Sequence, residues 1–149
     1  MKQEPGTGTT QADPVWETAH FNVFSHQNAV CTLRRQIMEF LNQPSSLFTP
    51  EELADVELAV GEACTNAYKH GSPNGELDEV RVTCMKNERT LILEVSDNGC
   101  GFDPNSLTTP DLGNMKEGGI GIFLIRTLVD SVEFDFSKGT TVRMTKHHR

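Results

Sequence analysis

Residues 49–71 read TPEELADVELAVGEACTNAYKHG. The stretch opens with a helix start: Thr49 as cap, Pro50 at the first helical position, and Glu52 three residues after the cap. Leu53, Val56, Val60, Ala63 and Ala67 then recur at three- and four-residue spacing, the apolar stripe of an amphipathic helix. His70-Gly71 ends it, and Ser72-Pro73-Asn74-Gly75 turns the chain away. Beside the stripe, Glu62, Asn66 and His70 stack four residues apart along one line. A solvated polar face accounts for such a line. Asn66 suits that account poorly, because asparagine is a modest helix former, and Ala59, Ala63 and Ala67 leave space above it.

Outward from this helix the pattern alternates. Trp16–Phe24 predicts a first strand, and Ser25 is expected to cap a helix whose stripe is Val30, Leu33, Ile37, Phe40 and Leu41, stopped by Asn42 and Pro44. On the other side Val80, Val82 and Cys84 alternate as a strand. Lys86-Asn87-Glu88-Arg89 is read as the turn, and Leu91, Leu93 and Val95 as the partner strand. Asp97–Gly119 is rich in Gly, Pro and Asn and too long for an ordinary connection. Ile120–Val129 is almost continuously apolar and predicts a buried helix. Val132, Phe134 and Phe136, then Val142 and Met144, predict a closing hairpin around Ser137-Lys138-Gly139. This order predicts an α+β two-layer sandwich, with helices covering one face of a mainly antiparallel, mixed sheet. Residues 1–14 are polar, Gly- and Thr-rich, and are expected to form a disordered arm, leaving 15–149 as one domain. His147-His148-Arg149 reads as a polar tail and nothing more.

Composition narrows the function. The 149 residues and 16.5 kDa suit one domain that closes a core without disulfides or a structural metal. The formal charge is −8, and no Lys/Arg cluster exceeds Arg34-Arg35, so direct nucleic-acid binding is not expected. No apolar run approaches the roughly 20 residues of a membrane span, and the first residues lack the apolar segment of a signal peptide. Cys31, Cys64, Cys84 and Cys100 form no CxxC pair, and the histidines form no HExxH. Zinc is therefore disfavoured, and a reduced cytoplasmic setting is expected.

Three glycine-bearing segments remain. Asp97-Asn98-Gly99-Cys100-Gly101 is either a turn closing its strand or a place where a ligand approaches the backbone, with Asp97 as acceptor for an amine. Gly118-Gly119-Ile120-Gly121 opens the apolar helix, where free N–H groups favour phosphate; a flexible hinge is the plainer reading. Each helical glycine costs roughly 1 kcal/mol against alanine, so the cluster asks for a reason. Neither GxxxxGK[ST] nor GxGxxG occurs, which excludes a P-loop and a dinucleotide fingerprint. Gly139-Thr140-Thr141 alone is a turn. Lys116 either reaches an anion or is simply solvated.

Together, ExxxNxxxHG (62–71), DNGCGF (97–102), GGIGI (118–122) and GTT (139–141) resemble, in that order, the boxes of the gyrase, Hsp90, histidine kinase and MutL superfamily of ATPases, whose nucleotide site is the Bergerat fold. The resemblance runs from about Trp16 to Met144. Within it, AVGEACTNAYKHG and GGIGIFLIRTLVDSVEF are similar to the bacterial anti-sigma factor serine/threonine kinases.

The resemblance implies ATP with Mg²⁺: Asn66 as metal ligand, Asp97 binding the adenine amino group, and Thr141 close to Asp97. Gly99 belongs to the same nucleotide-binding segment, and Gly101, Gly119 and Gly121 would make room for base and phosphates. Lys116 would lie in the lid spanning residues 103–118 and meet phosphate. Glu62, one turn from the metal ligand, would be the catalytic base. It further implies a homodimer that phosphorylates an anti-anti-sigma protein of the STAS type and sequesters a sigma factor. The alternatives are a switch kinase, or a nucleotide-binding regulatory module, that touches no sigma factor. A gyrase-like ATPase would need a transducer domain, which is not expected after the final hairpin, and a histidine kinase a helix bearing a phosphoacceptor histidine, for which only His26, at the very start of the first helix, is available.

Overall fold

The computed structural model describes residues 13–43, 46–101 and 117–149, with side chains left aside at 117–120. Of the expected disordered arm, residues 1–12 lie outside the described residues, as do Pro44, most of the lid and Lys116.

The elements run β1 (Glu17–Phe24), α1 (Ala29–Leu41), α2 (Pro50–His70), a single 3-10 turn at Gly75–Leu77, β2 (Glu79–Lys86), β3 (Thr90–Asp97), α3 (Glu117–Leu128), β4 (Ser131–Asp135) and β5 (Thr140–His147). The five strands are ordered β1-β2-β3-β5-β4. Every pairing among them is antiparallel, so the mixed character expected of the sheet is not seen in the described residues.

Period-two burial decides which face is inside. Val80, Val82 and Cys84 of β2 and Leu91, Leu93 and Val95 of β3 are buried, while their neighbours in sequence are half-exposed. Met144 of β5 stands opposite Leu93 and joins them. Leu33, Ile37 and Leu41 of α1 and Val56, Val60, Ala63 and Ala67 of α2 close the other side of this core. Ile125 of α3 and Val129 just beyond it complete the layer. The helices thus cover one face, as the order of elements predicts. No helix among the described residues is long and apolar enough to cross a membrane.

The start of α2 is the one its sequence announces. Glu52 N–H donates to Thr49 Oγ1 at 3.1 Å, and Thr49 N–H donates to Glu52 Oε1 at 2.9 Å. Ser25, by contrast, caps nothing. Helix α1 begins at Ala29 behind Asn28, without a side-chain cap, and Ser25 is buried instead. Its N–H donates to the Asp78 carbonyl at 2.8 Å, and its hydroxyl meets that of Ser72 at 2.5 Å. The hydroxyl is thus committed to a distant partner before it can serve the helix.

Two further expectations give way. Lys86 is the last residue of β2, facing inward, not part of the turn. Its Nζ donates to the Phe40 carbonyl at 2.5 Å and to Gln43 Oε1 at 3.0 Å, 4.3 Å from the Phe40 ring centroid. A lysine so satisfied can occupy a strand position that its charge would otherwise exclude. The C-terminal residues are also more than a polar tail. His148 Nδ1 lies 2.8 Å from Glu52 Oε1, Arg149 N–H donates to Glu52 Oε2 at 3.1 Å, and the Arg149 guanidinium pairs with Asp130 at 2.9 Å. Burial acts to raise the Glu52 carboxyl, but the Thr49 N–H, His148 and the Arg149 N–H outweigh it and hold the group at about 2.

Candidate nucleotide site

Helix α2 carries Glu62, Asn66 and His70 in line at its C-terminal half. At about 1.5 Å rise per residue, Asn66 lies about 6 Å and Glu62 about 12 Å along the axis from His70. The first turns of α3 cross this line. A Cβ added to the buried Gly121 would stand 2.9 Å from Glu62 Oε2 and 3.3 Å from the Asn66 amide nitrogen. The α3 backbone at Gly121 thus lies directly against both polar side chains. Gly118 and Gly119 fall in the first turn of α3, where backbone N–H groups have no partner within the helix.

The other end of the line meets Asp97. This residue ends β3, is only 7% exposed, and accepts the Gly99 N–H on Oδ1 at 2.7 Å. Little room surrounds it. A Cβ on Gly71, the residue after α2, would lie 2.1 Å from Asp97 Cγ. One on Gly99 would lie 3.0 Å from Oδ1, and one on Gly139 only 2.0 Å from the Asp97 carbonyl oxygen. Two glycines remote in sequence thus close on Asp97, Gly71 on its carboxylate and Gly139 on its backbone carbonyl. Burial pushes that carboxyl above its usual range, although the N–H groups of Gly99 and Thr140 and the charge of Arg81 work against the rise.

Two expected site residues stand elsewhere. In the β3–β5 register Asp97 faces Thr140, and Ser96 faces Thr141. Thr140 is buried beside Asp97, whereas the Thr141 hydroxyl bonds Ser96 Oγ at 2.8 Å on the opposite face. The threonine next to Asp97 is thus Thr140. The same alternation that puts Val142 and Met144 inward puts Thr140 inward, so the sequence held the means to find it. Gly101 adopts φ +79°, and a Cβ there would meet Phe136 Cδ1 at 2.6 Å. The space it keeps open is filled by that ring.

The four boxes therefore assemble into two adjoining clusters along α2: Asp97 with Gly71, Gly99 and Thr140 at one end, Glu62 with Asn66 and Gly121 at the other. A buried acceptor at one end, and a carboxylate and an amide beside a helix start at the other, suit an extended ligand with a hydrogen-bonding base and a polyphosphate.

A family profile described as the histidine kinase-like ATPase domain matches residues 24–146. A serine-protein kinase RsbW of Listeria monocytogenes is 38% identical over 108 residues, covering 67% of this chain and 69% of that one. The corresponding kinase of Bacillus pumilus is 39% identical over 106 residues, covering 64% and 65%. Among solved structures, the RsbU and RsbW domains of a Mycobacterium tuberculosis protein superpose with a TM-score of 0.65 at 20% identity, over 88% of this chain and 32% of that one; this likeness bears on the fold alone. The chain belongs to the histidine kinase-like ATPase family, in its RsbW-type serine-protein kinase branch.

Proposed function

We propose that this chain transfers the γ-phosphoryl group of ATP to a serine or threonine of a separate small protein of the STAS, anti-anti-sigma type, and that its ATP-bound form sequesters a sigma factor. The observation that carries the reading is the pairing of a glycine-enclosed Asp97 with Glu62 and Asn66 one to two turns back along α2. Asp97 accepts the adenine amine, with Thr140 beside it. Asn66 offers an amide oxygen to Mg²⁺, a hard cation that takes oxygen ligands and shares them with phosphates and water. The ion supplies charge neutralisation when bound. The N–H groups at Gly119 and its neighbours in the first turn of α3 face the phosphates, and Gly121 keeps that turn close to Asn66.

Glu62 takes the proton of the attacking hydroxyl. The acceptor oxygen forms a bond to the γ-phosphorus, the bond from that phosphorus to the β–γ bridging oxygen breaks, and ADP leaves. A phosphorylated product carries about −1.5 to −2 additional charge, and a protein of formal charge −8 favours its release. A homodimer suits β1, an outer strand of the sheet with Phe24 57% exposed at its end.

The test is to incubate the purified protein with a STAS protein encoded beside it, ATP and Mg²⁺, and to examine the acceptor by mass spectrometry. A single phosphoserine or phosphothreonine is expected. Steady phosphate release with an unmodified acceptor would replace this reading by an ATPase, and nucleotide binding without turnover would replace it by a regulatory binding module.

A further inference from the structure

Asp97 is followed directly by Asn98, a residue the nucleotide chemistry above does not use. Asn98 is nevertheless held at three points. Its N–H donates to the Gly71 carbonyl at 3.0 Å, its side-chain Nδ2 donates to Asp78 Oδ1 at 2.8 Å, and its Oδ1 lies 3.4 Å from both terminal nitrogens of Arg81. Asp78 is itself fixed. It is 4% exposed, its Oδ2 accepts the Asn74 N–H at 2.7 Å, and its carbonyl accepts the Ser25 N–H at 2.8 Å. The Asn98 amide, with the Asn74 N–H, holds the Asp78 carboxyl below its usual range, so the group that grips Asn98 is an anion.

We infer that Asp78 and Asn98 are positioning residues that set adenine selectivity, by locking the peptide after Asp97 so that its carboxylate stays aimed at the base. The geometry supports this in two ways. The Asn98 N–H and the Gly99 N–H flank one short segment: the first ties it to Gly71, which itself touches Asp97, and the second bonds the Asp97 carboxylate. The Asn98 side chain reaches outward, where Asp78, just ahead of β2, accepts its amide and Arg81 within β2 meets its oxygen. Freed from Asp78, the 97–99 segment keeps its backbone bonds but loses the side-chain brace against rotation.

The inference rests on Asp97 binding adenine, and the test separates the two. Affinities of the full chain for ADP and for inosine diphosphate, which bears a carbonyl in place of the amine, are measured by calorimetry. Diphosphates avoid turnover. The unaltered protein is expected to prefer ADP. Because Asn98 is exposed, Asn98→Ala and Asn98→Asp should both fold, as thermal melts will verify. Losing one charge-assisted hydrogen bond of the brace should reduce the ADP preference about tenfold, through weaker ADP binding with inosine diphosphate little changed.

The exchange Asp78→Asn with Asn98→Asp reverses donor and acceptor, leaves an oxygen for the Asn74 N–H, and places the new carboxylate beside Arg81. It should restore the preference to within about threefold of the starting value. A merely structural role would instead weaken both nucleotides equally. If the unaltered protein binds both nucleotides alike, the adenine role of Asp97 falls and this inference with it. If it discriminates and the Asn98 variants discriminate equally well, or the exchange recovers nothing, the brace alone is refuted.

Discussion

Alanine at position 71 isolates the close approach on which the proposed adenine end of the site depends. Gly71 has φ −103° and ψ 12°, a conformation open to alanine, so the backbone exacts no penalty. The cost lies in contact. The new methyl would stand 2.1 Å from Asp97 Cγ, 2.3 Å from its Oδ2 and 2.5 Å from its Cβ. Carbon atoms pack at about 3.5 Å or more, so Asp97 must retreat by about 1.4 Å. Such a shift breaks the 2.7 Å bond from the Gly99 N–H. Overpacking of this kind costs about 1–3 kcal/mol, and a buried carboxylate deprived of a donor adds about 1–3 kcal/mol. Less chain entropy in the unfolded alanine variant returns about 0.4–1 kcal/mol. A net loss of about 1–5 kcal/mol is expected in urea unfolding, with nucleotide binding abolished. The decisive comparison is a double-mutant cycle with Asp97→Gly, which removes every atom the methyl would meet on that side chain. Gly71→Ala should cost at least about 1 kcal/mol less in that background. Equal costs in both backgrounds would refute the close approach as the reason for glycine. Gly75→Ala is the control: φ is +62° with open space around it, so about 1–2 kcal/mol of backbone strain is expected and no effect on nucleotide.

Glu62→Gln keeps shape but cannot take a proton, and should lower phosphoryl transfer by about 10²–10⁴-fold at unchanged ATP affinity, read from single-turnover rates and calorimetry. Loss of affinity instead would make Glu62 a binding residue. Asp97→Asn presents a donor to the adenine amine and should weaken ATP by about 1–3 kcal/mol; an unchanged dissociation constant removes Asp97 from the site. Glu52 is held at about 2 in the folded protein, against 4.5 for an ordinary glutamate. Its folded pKa is depressed, so its contribution is fully present above about pH 4.5 and disappears as pH falls toward about 2. Glu52→Gln should therefore cost stability at pH 7 and little at pH 2, and parallel losses at both would sever Glu52 from the acid limb of the stability curve.

Local chemistry made much of this molecule readable. The Thr49–Glu52 box, the α2 stripe and the alternation of Val80, Val82, Cys84, Leu91, Leu93 and Val95 are decided by neighbours in sequence, and each stands where its pattern puts it. The residues that escaped are those whose partners are remote. Ser25 answers to Ser72 and Asp78, Lys86 to a carbonyl 46 residues away, and His148 to Glu52 across 96 residues. No window along the chain contains those pairs. Thr141 was a different kind of miss, since period two in the β5 stripe already favoured Thr140. The candidate site is legible as spacing, but the reason for Gly71 is not. It lies in Asp97, 26 residues downstream and brought alongside only by the sheet.

The order β1-β2-β3-β5-β4 has a bearing on how the protein is born. β5, the last of the described strands in chain order, occupies an interior lane, hydrogen-bonded to β3 on one side and β4 on the other. While a ribosome is still producing residues ahead of Thr140, β3 has one rim bare and β4 has no neighbour among the described strands. The hydrophobic layer cannot seal, because Met144 has yet to arrive between Leu93 and Val132. Nascent chains therefore pass through a stage with two sticky rims, the condition under which chaperone capture and strand exchange between copies compete with folding. Arrival of β5 ends that exposure in a single event, so a ribosome stalled inside β5 would release a chain with neither a closed sheet nor Thr140 beside Asp97.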